Sequence, residues 1–324
     1  MRSREREREK KNASFLDLPP SFIIIHKCAP AVHLPPPRPS LSLSPSTSDL
    51  PGFTRSVLAP DHALITPESR TWAPLAGWVN ASAAVLVSPA PPMRAGFTMA
   101  LVDVGAGGAL APALAGGGPG AAAARARVQR AVFVLDGSLE VRGECAGLGA
   151  TPLTLHADGF LFLPPPCAAS VALASTAGAG LVMWEKLYTR GGVGRDAGNA
   201  PPPAVAVASA SALPAVDPGG GETFTLRRLL PSPSPTSAPD FNVHLMDFEP
   251  GQVLATREVH HNQHGALLLE GGGMYRLGGA FHPVTAGDAI WMAPFVPQWF
   301  GALGNGRARY IIYKDAGADP LLAV

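Results

Sequence analysis

From about Gly52 onward, short apolar runs alternate with turn signals. Ala84-Val85-Leu86-Val87, Phe97 to Val104, Ala131 to Leu135 and Gly159 to Leu163 are rich in Val, Leu and Phe and bounded by Gly, Pro or Asp. Such runs predict strands of an all-β sandwich or barrel. A second strand-rich stretch follows from about Glu222 to Tyr313. The two halves repeat a pattern of strand, acidic-Gly turn, strand, then Gly/Asp, apolar run and Pro. The first half has Leu135-Asp136-Gly137 and later Asp158-Gly159 to Pro164; the second has Leu269-Glu270-Gly271 and later Gly287-Asp288 to Pro294. Duplication of one β-barrel accounts for this. Residues 105–124 and 191–221, nearly pure Ala, Gly, Pro and small apolar residues, read as a loop insertion and an inter-barrel linker.

Composition narrows the picture. Gly 36 and Pro 35 among 324 residues exceed ordinary usage without any collagen-like period, which suits turns between short strands. The net charge of +1 supplies no basic field for nucleic acid or an anionic membrane. No run of about 18 apolar residues is present to cross a bilayer as a helix. The opening MRSREREREKKN carries six basic and three acidic side chains and predicts a disordered tail over residues 1–50. Phe22 to Ile25 is too short for a secretory core, and residues 35–51 read as Pro/Ser-rich linker. Cys28, Cys145 and Cys167 are odd in number and show no paired spacing, so idle or buried thiols are expected rather than a disulfide framework or a zinc site.

The candidate chemistry is concentrated near the C-terminus. Five of nine histidines fall in the last 81 residues, and three lie in Glu258-Val259-His260-His261-Asn262-Gln263-His264. In a strand, side chains two and six positions apart share a face. That parity places Glu258, His260 and His264 on one side and His261 and Gln263 on the other. One carboxylate and two imidazoles converging inside a barrel make three sides of a metal site.

Gly251, the Glu258-x-His260-x3-His264-x6-Gly271 string and Gly287-x6-Pro294-x2-Pro297-Gln298 resemble the two motifs of the cupins. The usual cupin order is altered, with Glu258, His264 and Gln298 standing where His, Glu and His are common. Together with Asn262 to Gly265, Trp291 to Trp299 and Tyr310-Ile311-Ile312-Tyr313-Lys314-Asp315, this is similar to the (S)-ureidoglycine aminohydrolase family of bicupins. Gly52 to Ser56 and Asp61 to Ser69 are further matches in the first half. The resemblance implies two tandem jelly-roll-like barrels: residues 51–190 without metal ligands, a linker over 191–221, and a catalytic barrel over 222–324. It implies Mn²⁺ held by Glu258, His260, His264 and Gln298. It further implies ureidoglycine as substrate, hydrolysed to ureidoglycolate and ammonia in allantoin degradation. Substrate contacts would come from Glu258, Gln298, Tyr310, Lys314 and Tyr275, with Glu258 and Lys314 catalytic. A homo-oligomer and an endoplasmic-reticulum address, borrowed from plant members, also follow from the resemblance. Two other readings are a metal cupin of different chemistry, such as a dioxygenase or isomerase, and a non-catalytic storage bicupin. The first barrel has Arg127-Val128-Gln129-Arg130-Ala131 at the place of the ligand cluster, so no metal set is expected there.

Overall fold

The computed structural model describes residues 54–111, 123–124, 126–149, 151–189, 203–230 and 239–316. The charged start, Phe22 to Ile25, Cys28, residues 35–51 and most of the Ala/Gly stretch after Ala111 lie outside the described residues. Within them the chain is built of short strands. These are β1 (Val57–Leu58), β2 (His62–Ile65), β3 (Val79–Val87), β4 (Thr98–Leu110), β5 (Val128–Arg142) and β6 (Leu153–His156). Next come β7 (Gly159–Leu163), β8 (Ala172–Ser175), β9 (Ala179–Leu187), β10 (Ala206–Ser209), β11 (Thr225–Leu230) and β12 (Phe241–Phe248). The last are β13 (His264–Glu270), β14 (Gly272–Leu277), β15 (Ala280–Thr285), β16 (Ala289–Met292), β17 (Gln298–Ala302) and β18 (Ala308–Asp315).

In the first barrel, β4 and β5 each pair with β9 at one end and β8 at the other, which closes a ring. The second is a seven-stranded sheet, β1-β2-β16-β13-β18-β12-β11, with a three-stranded sheet, β15-β14-β17. Both barrels carry the same irregularity at the same place. The β5–β9 ladder slips between Val134 and Asp136, and the β13–β18 ladder between Leu268 and Glu270. Each slip leads into a glycine at positive φ, Gly137 at 75° and Gly271 at 65°, a conformation that glycine adopts without steric cost. A bulge shared at matched positions supports duplication, and it sets the equivalence used below. Arg130 stands where His264 stands, and Glu185, opposite Arg130, stands where Lys314 stands.

The leading strand of each half leaves its own barrel. β2 pairs with β16 of the second barrel, and β10 pairs with β7 of the first. Residues 203–221, expected as linker, thus supply a barrel strand, and residues 105–110, expected as loop, are the end of β4. Small apolar residues carry no local signal that distinguishes loop from strand; their pairing partners decide. The exchanged N-terminal arm is pinned by Arg55, whose guanidinium donates to both oxygens of the fully buried Asp288 at 3.0 and 2.8 Å.

Parity along the central strands divides the apolar residues. Phe241, Val243, Leu245, Leu267, Leu269, Ile311 and Tyr313 join Phe97, Met99, Phe133 and Trp184 in the core between the barrels. Met246, Phe248, Ala266, Leu268, Tyr310 and Ile312 fill the interior of the second barrel. Phe97 stacks on Tyr313 with ring centroids 4.0 Å apart and lies against Gly265, where a Cβ would meet the Phe97 ring at 2.8 Å. The expectation of idle thiols is corrected: Cys145 and Cys167, 22 residues apart, form a disulfide with Cα atoms 5.5 Å apart. The fold returns the turn at Cys167–Ala169 beside the chain leaving β5, a proximity that sequence spacing does not encode.

Candidate active site

Only His264 of the expected strand-borne cluster lies in a strand. The segment 258–263 is a loop, tied by an isolated bridge in which the Glu258 and Gln298 backbones exchange hydrogen bonds of 2.9 and 3.0 Å. A further bond of 2.8 Å runs from the Phe295 amide to the His260 carbonyl. The parity argument therefore fails as stated, because an irregular backbone has no two-residue period. The side chains nevertheless meet. The Glu258 carboxylate lies 3.5 Å from His260 Nε2, Gln298 Nε2 donates to His260 Nε2 at 3.1 Å, and the His260 and His264 rings are 4.6 Å apart. His261 is exposed on the other side. Gln263 turns to the first barrel, where its Oε1 accepts from the Gly96 amide at 3.1 Å.

His264 is almost wholly buried at 1% exposure. Its Nδ1–H donates to the Asn262 carbonyl at 2.9 Å, which leaves Nε2 with a free lone pair, buried and without a hydrogen-bond partner. Burial, helped by the neighbouring Lys314 and His260 side chains, holds its pKa well below the usual histidine value. The imidazole is therefore neutral, as metal ligation requires. The Glu258 carboxyl is held below its ordinary pKa by the neighbouring His260 and Lys314, against the opposing effect of burial. Burial lowers the pKa of Lys314, while Glu258 and Glu222 oppose that.

Cross-strand register places Lys314 beside His264, and Tyr310 lies two inward-facing positions earlier on β18. Tyr275 OH donates to Gln298 Oε1 at 3.2 Å. Burial first, then neighbouring negative charge, raises the pKa of both tyrosines, so each remains a donor. Among the described residues no group of three or more His, Cys, Asp or Glu side chains is closed up at metal-ligating spacing. The arrangement depends on a fourth, amide member, Gln298. Two polar residues that no motif marks, Asn242 and His244, also occupy the interior face of β12. Their only trace in the sequence is the alternation Phe241-Asn242-Val243-His244-Leu245.

A chain of two such barrels, one gathering imidazole, carboxylate and amide at the inner end of a strand and the other not, is a bicupin, and residues 244–313 match the cupin domain family. Over 276 residues it is 44% identical to the probable (S)-ureidoglycine aminohydrolase of Oryza sativa subsp. japonica, covering 85% of this chain and 79% of that one. Over 281 residues it is 41% identical to the (S)-ureidoglycine aminohydrolase of Arabidopsis thaliana, covering 86% and 84%. The chain belongs to the (S)-ureidoglycine aminohydrolase family of hydrolases. A putative glyoxylate induced protein from Pseudomonas aeruginosa shares the fold, with a TM-score of 0.66 at 23% identity, over 83% of this chain and 93% of that one.

Proposed function

We propose that this protein hydrolyses (S)-ureidoglycine: water adds its oxygen to the central carbon, the C–N bond to the amine breaks, and ammonia leaves (S)-ureidoglycolate. The proposal includes one Mn²⁺ held by Glu258, His260, His264 and Gln298. The observation that carries it is the buried, unpartnered His264 Nε2, on a ring 4.6 Å from that of His260, which in turn meets Glu258 and Gln298. An imidazole nitrogen left without a partner costs about 1–3 kcal/mol, which a cation offsets. Two imidazoles with two oxygen donors suit a borderline-to-hard ion, and the absence of thiolate argues against a structural zinc site. When bound, the ion supplies electrostatic stabilisation of charge at the reacting centre.

The chain's own groups supply the rest. Lys314 provides the cation for the substrate carboxylate. Glu258, kept ionised, takes a proton from the attacking water and passes it on to the leaving amine. Tyr275 holds the Gln298 amide in orientation, and Tyr310 offers a second hydroxyl donor from the same wall. The test is ammonia release from freshly made ureidoglycine, with and without chelator and with Mn²⁺ restored. Activity lost to chelator and regained with Mn²⁺ supports the reading. Undiminished activity in metal-free protein removes the metal from it, and no ammonia from the Mn²⁺-loaded protein removes the activity.

A further inference from the structure

The inward face of β12 carries polar groups that the proposed reaction does not use. Asn242 and His244 point the same way as Met246 and Phe248 in the barrel interior, whereas Phe241, Val243 and Leu245 face the other barrel. Register sets Asn242 opposite Lys314, which is itself opposite His264, so the three form one row across the barrel. His244 lies in the next row, opposite Ile312 on one side and Arg228 on the other. Asn242 Oδ1 and His244 Nε2 are both buried and without hydrogen-bond partners. Burial, together with the charges of Lys314 and Arg228, lowers the His244 pKa to about 4, so its ring is neutral at physiological pH.

A lone acceptor and a neutral imidazole side by side, next to a lysine, do not complement a second carboxylate. They complement a planar group that both donates and accepts. We propose that Asn242 and His244 determine specificity by binding the carbamoyl end of the substrate. Asn242 Oδ1 accepts from a urea N–H, and His244, as the Nε2–H tautomer, donates to the urea carbonyl. The carboxylate is left to Lys314. This rests on the reading of the site as a ureidoglycine hydrolase.

The experiment uses the manganese-loaded full chain and two inert probes. One is N-carbamoylglycine, which keeps urea and carboxylate but has no amine to lose. The other is N-acetylglycine, in which a methyl replaces the terminal NH₂. Calorimetric titration of the native chain should favour the carbamoyl probe by about tenfold, the worth of one or two buried hydrogen bonds. In Asn242→Leu the ratio should fall toward unity with bound manganese unchanged, because only the carbamoyl probe has the terminal NH₂. His244→Phe should weaken both probes alike by about tenfold, since both carry the carbonyl, and His244→Gln, which keeps a donor, should restore part of that loss. A native ratio near unity overturns the proposal even if every variant unfolds. An unchanged ratio in folded Asn242→Leu, or undiminished affinity for both probes in folded His244→Phe, overturns it as well. Failure of the underlying reading is separate, because it shows as no ammonia from ureidoglycine in the native chain.

Discussion

The two barrels solve the same packing problem with opposite treatment of their buried polar groups. In the first, Arg130 is 1% exposed, and its Nε and its NH2 group lie 2.8 and 2.6 Å from Glu185 Oε1 while NH1 reaches the Ala111 carbonyl. Next to it, the fully buried Gln129 gives and takes hydrogen bonds with Asp240. At the matching place in the second barrel stand His264 and Lys314, and His264, His244 and Asn242 each leave a buried atom unpaired. Buried polar groups are normally satisfied within the fold. Arg130 and Gln129 find partners in the fold, whereas His264, His244 and Asn242 carry buried atoms without one. On the same strand plan, one barrel pairs Arg130 with Glu185 and the other leaves His264 Nε2 open, the difference on which the proposed division into a supporting and a reactive barrel rests.

The supporting role has a visible route. Asp315, at the end of β18, accepts from Lys186 of the first barrel at 2.9 Å and from Tyr313 OH at 2.5 Å. Its carbonyl accepts from Asn262, and its amide donates to the Gln263 carbonyl at 3.0 Å. The loop that carries Glu258 and His260 is therefore moored to the first barrel directly at Gly96 and, through Asp315, at Lys186.

The largest expected effect removes the unpaired group itself. His264→Ala or Glu258→Ala should lower ammonia release by at least about a hundredfold and reduce bound manganese, measured by coupled ammonia assay and elemental analysis. The converse change, Arg130→Ala, leaves Glu185 uncompensated in the first barrel. It should cost about 3 kcal/mol or more in denaturant unfolding while the folded fraction keeps its kcat. Lys186→Met, which cuts the mooring without touching the site, should lower kcat by up to about tenfold with KM less affected. The smallest effect is a pH signature. The His244 pKa is depressed to about 4, so as pH falls from about 6.5 the unfolded chain binds the proton first and native stability declines until pH 4. His244→Gln should flatten that decline in unfolding curves recorded across the window.

Sequence reading reached the all-β class, the duplication and the residues of the candidate cluster, because these are local signals: Val- and Leu-rich runs, acidic-Gly turns, and histidines crowded within a few positions. It missed what depends on pairing between distant segments. The short, small-residue strands β2 and β10 reveal nothing of the barrel they join. Cys145 and Cys167 become neighbours only through the path of the chain between them. Strand parity does not govern the segment 258–263, whose backbone is held by cross-loop bonds to Phe295 and Gln298. Asn242 and His244 escaped notice because single polar residues in an alternating strand look like an ordinary solvent face. Gln263, read as facing away from the cluster, does so, and its partner in the first barrel explains why.

The most direct test of the contrast between the barrels is the metal content of the purified, reloaded chain set beside that of His264→Ala and Arg130→Met. A stoichiometric divalent cation in the native chain and in Arg130→Met, with loss in His264→Ala, is the predicted result. Equal metal in native and His264→Ala protein, or loss in Arg130→Met while it remains folded, would contradict the account.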